Sequence, residues 1–431
     1  MSGILQTLFQ NLRSFITGTG WLNSSTGTGT NFYFARIASD SANKTYSVGL
    51  IDGPGTTRQL TVSRFTTTGT TDLNVSLTGT SYPFNYSGYG GISVDSSGNI
   101  YAILVKDSTT SPELTKWNSS GTLQFQKYTT SSTATQLAPF QSISDASSNV
   151  YVAIYWYNLV CCVSSFSPAI IKYDSSGAVV WSYYYYSNSP GYYSTGIASD
   201  SSGNLWLVGP GNFVKTNSSG IATIIKTSGT NFYKVAIDSS NNIYMIGNEG
   251  TTGNITLYSV SSTGTITWGR KFVIGSSMNN QIITTDSSGN IYCVFYATNA
   301  SSTTDTVILK YNSSGTLQWQ RKLSTGTTSA TPMICTDATV VNNNINIVGY
   351  KTLAGINTGF AISVPTNGAL TGTIVVGGIS YVYAVASGTD SAAATVTLTT
   401  QSNSSTSMSA TNTTTSYSTL TNQLTNTVTT F

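Results

Sequence analysis

An all-β fold made of repeated small sheets is the fold class this sequence predicts, and three observations predict it. The composition favours strands, one turn motif returns at a steady interval, and a second turn motif follows it inside each interval. Of the 431 residues only 8% are charged and the net charge is +3, against about a quarter charged in an ordinary soluble protein. Ser, Thr and Asn fill the gap, together with 40 Gly and 27 Tyr. β-Branched Thr and aromatic Tyr suit a pleated strand, while Gly and Asn suit tight turns.

The first motif is Asp95-Ser-Ser-Gly-Asn-Ile-Tyr101. It recurs from Asp145 to Tyr151, Asp200 to Trp206, Asp238 to Tyr244 and Asp286 to Tyr292, always with an aromatic six residues after the Asp. Asp40 and Tyr46 keep the offset, and Asp337 is read as a looser copy; successive Asp residues stand 38 to 55 apart. The second motif is Lys116-Trp-Asn-Ser-Ser-Gly121 leading to Phe125. Lys172 to Gly177 leads likewise to Trp181, Lys310 to Gly315 to Trp319, and Lys215 to Gly220 to Ile224. Gly264 and Trp268 keep the last offset, and Arg64 precedes Gly69 as the lysines precede their glycines.

Both motifs have one physical cause. Asp and Asn accept hydrogen bonds from the backbone two residues on, and Gly supplies the positive φ that closes a hairpin. Residues on either side alternate in polarity, so each interval holds two hairpins, or four strands A to D. A lone four-stranded sheet cannot bury both faces, whereas sheets stacked around an axis can. The expectation is a β-propeller of seven four-stranded blades, at 31–80, 88–128, 139–186, 195–227, 233–273, 280–324 and 331–377. The Tyr of strand B and the Trp of strand D then pack between blades.

The unit A-x-D-x-x-G-N-I-Y followed by K-Y-x-x-x-G-x-x-x-W resembles the bacterial SBBP-type seven-bladed propeller repeat, which is also found in bacteriophage virion proteins. The resemblance covers about residues 31–377, and the first and last units depart from its pattern. It implies the fold and a virion setting, and carries almost nothing about activity.

Outside the repeats, residues 1–30 are expected to form a docking arm. Ile4, Leu5, Leu8, Leu12, Phe15 and Ile16 recur at helical spacing, which gives a short amphipathic helix. The stretch lacks the basic start and cleavage site of a secretory leader. No apolar run is long enough for a helical membrane span. The Ser/Thr-rich segment 378–431 is read as a closing or assembly segment, or as a degenerate eighth blade whose first hairpin joins Tyr381–Ala386 to Thr395–Thr399.

Chemistry is sparse. There is no histidine, which removes Ser-His-Asp and Cys-His catalysis and histidine-bound metals. Of thirteen Asp and two Glu, Asp40, Asp95, Asp145, Asp200, Asp238, Asp286 and Asp337 are assigned to A–B turns and Asp174 to a C–D turn. Nothing pairs the remaining carboxylates across a substrate as a glycosidase needs. Cys161, Cys162, Cys293 and Cys335 have neither a zinc spacing nor a disulfide framework and are read as free thiols. The expectation is a non-enzyme with no catalytic residue, no cofactor and no metal. The Lys and Arg residues form no basic patch, so no nucleic-acid partner is expected.

Aromatics concentrate where the repeats vary. The third unit inserts Tyr155 to Pro168 between strands B and C, and Tyr183 to Tyr186 and Tyr192-Tyr193 follow its strand D. The candidate binding residues are therefore Tyr155, Trp156, Tyr157, Tyr183, Tyr185, Tyr192 and Tyr193. Loops on a rigid scaffold are where recognition resides, and flat aromatic rings suit sugar faces and protein partners alike. Two uses follow: binding a host-surface glycan or receptor, or a permanent interface in an oligomeric assembly. Joined to the resemblance, this gives the expectation of a tail or fibre component of a tailed-phage virion. Its partners would be other virion proteins, docked through the N-terminal helix and the C-terminal segment. A bacterial cell-surface or secreted, extracellular adhesion propeller that binds carbohydrate is the alternative.

Overall fold

The computed structural model describes residues 21–430 apart from 28–31, 53–57, 79–89, 107–110, 133, 161–162, 186–193, 250–253, 276, 299–303, 325–332, 354–355, 377–378, 402–404, 409, 415–417 and 422–423. The expected N-terminal helix, Tyr192, Tyr193, Cys161 and Cys162 lie outside the described residues. Every regular element described is a strand.

Strand β1 (Trp21–Gly27) is followed by an antiparallel meander of β2 (Phe32–Ser39), β3 (Thr45–Asp52), β4 (Arg58–Phe65) and β5 (Thr71–Thr78). A second meander has β6 (Gly91–Val94), β7 (Ile100–Lys106), β8 (Ser111–Trp117) and β9 (Leu123–Ser131). A third has β10 (Gln136–Ser144), β11 (Val150–Val160), β12 (Val163–Tyr173) and β13 (Val179–Tyr184). A larger sheet is built on β14 (Gly196–Ser199), β15 (Leu205–Thr216), β16 (Ala222–Ile237), β17 (Ile243–Glu249), β18 (Ile255–Val260) and β19 (Ile266–Val273). Two features make it large. β15 turns back at Gly211, with φ 74°, which brings the Trp206 and Phe213 rings within 6.1 Å. β16 runs unbroken from the end of one repeat into the start of the next, so two repeats share one sheet.

The next meander is β20 (Ser277–Thr285), β21 (Ile291–Thr298), β22 (Thr304–Tyr311) and β23 (Leu317–Ser324). In the last, β24 (Met333–Val341), β25 (Asn344–Leu353) and β26 (Ile356–Pro365) are completed by β1 from the N-terminus, with Trp21 opposite Ser363. Residues 21–27, expected within the docking arm, are therefore a strand of the last repeat. β27 (Gly372–Val376), expected as that repeat's fourth strand, instead joins the preceding sheet.

The sheets stack as in a β-propeller. Ile92, Ile100 and Trp117 of the second meander pack on Val48, Val62 and Val75 of the first. Equivalent apolar layers join every following pair, and Phe34, Ile37 and Phe65 meet Val348 and Ala361 to close the circle. Each sheet buries both faces against neighbours, as the alternation required.

The described strands of the C-terminal segment join the sheets of the repeats. Its strands are β28 (Ile379–Val385), β29 (Thr389–Ala392), β30 (Thr399–Thr400), β31 (Thr406–Ser407), β32 (Ala410–Thr414), β33 (Ser418–Thr421) and β34 (Leu424–Thr430). They form no sheet of their own. β28 adds to β23, β29 to β19, β30 to the first half of β16, β31 to β13, β32 to β9, β33 to β5 and β34 to β1. The segment is a belt that visits the sheets in reverse chain order and gives each outer strand an antiparallel partner. An unpaired outer strand invites pairing with other chains, and a Thr-rich chain with little charge is well suited to cover it.

Candidate functional site

The repeated aspartates are fully used in turn closure. Asp286 Oδ1 accepts the Ser288 and Asn290 backbone N–H groups, both at 2.9 Å, and Oδ2 accepts the Asn290 amide and the Tyr292 hydroxyl, both at 2.8 Å. Asp95, Asp145 and Asp238 repeat all four bonds. The lysine of the second motif lies over the same aromatic ring and reaches the next repeat. Lys116 Nζ is 5.0 Å from the Tyr101 ring centre and donates to the Ser175 carbonyl at 2.9 Å. Lys215 does the same over Trp206, towards Ser262. The motifs are thus structural: they close turns and strap neighbouring sheets together.

Asp337 is the exception. It lies inside β24, and the hairpin that follows is closed instead by Asn342 and Asn343 at positive φ. The residue assigned to a turn therefore faces elsewhere, as described below. Cys293 and Cys335 are free and buried, and burial pushes the Cys335 thiol up to about 12. That holds it as an inert thiol.

The structure divides the seven expected contact residues. β11 and β12 form a long hairpin that runs well past the end of β13 and is paired by β10 as far as Tyr157. Side chains alternate along it, so Tyr155 and Tyr157 share one face, their rings 6.0 Å apart and 7° from parallel. Phe166 on β12 joins them at 5.3 and 5.0 Å. All three are half-buried. Trp156 points the other way. It is 5% exposed and stacks on Tyr184 at 4.3 Å inside the layer shared with the second meander. Tyr185 is wholly buried and donates to the Gly220 carbonyl at 2.9 Å. Tyr183 packs beside Trp181 in the next layer. Burial removes Trp156 and Tyr185 from any contact surface, because strand alternation sends every second residue inward. Phe166 is the member that sequence reasoning missed, although its place opposite Tyr157 follows once the hairpin register is set.

A second cluster lies on the axis, where the innermost strands meet. β2, β10, β16 and β24 each carry a bulge, and the residue that resumes pairing after it is Arg36, Gln141, Lys234 and Asp337 respectively. A bulge re-aims the side chains around it. Arg36 Nε and Nη2 both donate to the Phe140 carbonyl at 3.3 Å, passing over the whole second meander to reach β10. Lys234 Nζ donates to Gln141 Oε1 at 3.0 Å from the opposite side. Asp337 Oδ2 accepts the Ile37 N–H at 3.2 Å, and Gln141 Oε1 also accepts the Ile197 N–H at 3.4 Å. Two cations, one carboxylate and one amide thus converge across the middle of the ring. Burial, and then the charge of Arg36, push the Lys234 ammonium down to about 7, with Asp337 opposing. Burial likewise holds Arg36 below its ordinary value, partly offset by Asp337.

One cavity of about 350 Å³ lies between Val273, Ala297, Val307 and the belt residue Ser387, with Lys322 and Asp305 paired at 3.2 Å in its wall. Among the described residues no three His, Cys, Asp or Glu side chains stand close enough to share a metal ion.

The class these features define is an all-β, propeller-like protein. No family model matches the chain, and no curated protein does. Among solved structures it is similar to a protein of unknown function from Dyadobacter fermentans, at 8% identity over 81% of this chain and 100% of the other, with a TM-score of 0.46. A gluconolactonase from Xanthomonas campestris aligns at 10% identity over 68% and 90%, with a TM-score of 0.38. An ulvan lyase aligns at 8% over 80% and 96%, with a TM-score of 0.45. At these scores none of them carries an argument about activity.

Proposed function

We propose that this chain is a non-enzymatic binding platform, a tail or fibre component of a tailed-phage virion built on a seven-bladed propeller. The blade number rests on the strand pairings: five sheets hold one four-strand repeat each and the large sheet holds two. The observation that carries the binding role is the aromatic face of the β11–β12 hairpin. Tyr155 and Tyr157 lie parallel beside Phe166 towards the tip of the hairpin, where they still pair with Ala138 and Gln136 of β10. Parallel rings with hydroxyl tips offer the flat apolar area that a sugar face covers. The absence of a catalytic role is supported by the turn aspartates, whose oxygens are already occupied. The virion setting is supported by the repeat resemblance and the uncharged surface composition. A bacterial surface or secreted carbohydrate-binding propeller would use the same hairpin. Docking to other virion proteins falls to residues 1–20, since the C-terminal strands are engaged on the chain's own sheets.

The test is binding of labelled protein to a glycan array and to intact bacteria. Saturable binding is expected, and Tyr157→Ala should weaken it by about tenfold, roughly one aromatic contact, without lowering the melting temperature. Binding unchanged in Tyr155→Ala and Tyr157→Ala would remove the hairpin from the role. A monomer that binds nothing but forms stable oligomers would assign the hairpin to an assembly interface.

A further inference from the structure

We propose that the cavity beside the belt is a binding site for a neutral sugar ring, held through two neighbouring hydroxyls by Asp305 and Lys322. The site stands apart from the β11–β12 hairpin and does not rest on it. One face of the sheet built on β20 to β23 supplies most of it. Ala297 lies opposite Asp305 and Val307 opposite Lys322, and Asp305 and Val307, two apart on β22, share that face. Ala297 and Val307 also belong to the apolar layer that Phe272 and Ala386 complete. β19 ends at Val273, and there the layer opens into a space of about 350 Å³. Ser387 of the belt borders that space, and Gln320 fixes the belt there by clasping the backbone of Gly388. The walls are therefore set by the fold itself, around a volume in the lower range of small-molecule sites.

Two features point to the ligand. Val273 is 38% exposed, among the few large apolar side chains that the described residues show to solvent, and it borders the cavity together with Val307. Asp305 is only 13% exposed, and its partner among the described residues is Lys322 at 3.2 Å. A carboxylate accepts about four hydrogen bonds and an ammonium donates three, so a shielded pair that shares one bond has capacity for more. Charge cancels within the pair, and an ionic ligand loses at one partner what it gains at the other. Adjacent hydroxyls gain at both: one donates to Asp305 while the next accepts from Lys322. The C–H face of a pyranose ring then covers the two valines, which removes their apolar surface from water.

Titrations of the full chain followed by saturation-transfer NMR test this. The methyl pyranosides of glucose, galactose and mannose are the probes, with glycerol as the acyclic diol. Saturable binding of at least one pyranoside is expected, with none by glycerol at the same concentrations. Asp305→Asn should weaken it about tenfold, as loss of one charge-assisted hydrogen bond does. Val273→Trp, which fills the cavity from an exposed position, should abolish it. Tyr157→Ala separates this site from the hairpin: binding that falls in Tyr157→Ala and not in Asp305→Asn belongs to the hairpin and overturns the cavity site. Absence of saturable binding by any pyranoside, or equal binding by glycerol, overturns it as well. If Asp305→Asn does not fold, Val273→Trp decides, and unchanged binding in that variant overturns the site.

Discussion

At the scale of single residues the chain spends its few charges on geometry. Burial alone would raise the Asp95, Asp145 and Asp286 carboxyls, but the amides of Asn99, Asn149 and Asn290 and the neighbouring N–H groups hold them below the ordinary value. A carboxyl depressed in the folded state stabilises fully above its unfolded pKa, about 4, and that share is lost as pH falls through the folded value. Acid unfolding should begin below about pH 4 for this reason. Asp286→Ala strands two backbone donors and the Tyr292 hydroxyl, and should cost about 1–3 kcal/mol; chemical denaturation of the variant measures it. The Asp-to-aromatic offset was legible in the sequence because both residues lie on one hairpin. Arg36, Lys234 and Gln141 were not, although each stands four residues before a turn aspartate. What unites them is a bulge and an approach across the axis, and neither has a local signature. Asp337 was misread for the same reason, since it keeps the spacing of the turn residues while occupying the strand position of Arg36.

At the scale of elements, the second motif makes sense only between neighbours. Gly315 has φ 79°, and a Cβ there would lie 2.9 Å from the Trp268 ring of the preceding repeat. The same approach recurs at Gly177 on Phe125, Gly220 on Trp181 and Gly368 on Trp319. The sequence spacing of Gly and Trp within one repeat is thus the imprint of contacts between two. Gly315→Ala combines backbone strain with a clash and should cost about 1–3 kcal/mol, read as a lower denaturation midpoint with an unchanged slope. The hairpins were legible from their turns, including the short return in β15. β1 was not, because Trp21-Leu-Asn-Ser-Ser-Thr-Gly27 carries no turn motif and its partners β26 and β34 lie at the far end of the chain. Two of the seven expected contact residues, Trp156 and Tyr185, are buried for a reason that belongs to this scale. A run of adjacent aromatics must split between the two faces of a strand, so Tyr155 and Tyr157 fall on the face opposite Trp156.

For the whole molecule the belt is the feature that holds the account together. Side-chain anchors fix it at intervals: Asp390 pairs with Arg270 and accepts the Tyr311 hydroxyl at 3.0 Å. Gln320 clasps the Gly388 backbone at 2.9 and 3.2 Å, and Met408 is buried beneath the third meander, where Ser182 donates to its carbonyl at 2.8 Å. Residues 401–431 have little apolar surface of their own to bury, being rich in Ser and Thr. Their stability comes instead from backbone pairing to edges that the rest of the chain supplies, which no local pattern records. The central claim is a closed ring of repeats girdled in reverse order by its own C-terminus. Two double-cysteine variants test it most directly: Lys271→Cys with Ser391→Cys, and Ser131→Cys with Ala410→Cys, each an opposed antiparallel pair. A short bifunctional thiol reagent should bridge both pairs within one chain, since opposed Cβ atoms lie about 5 Å apart. Bridging of neither pair, or bridging only between molecules, would contradict the belt and the ring it closes.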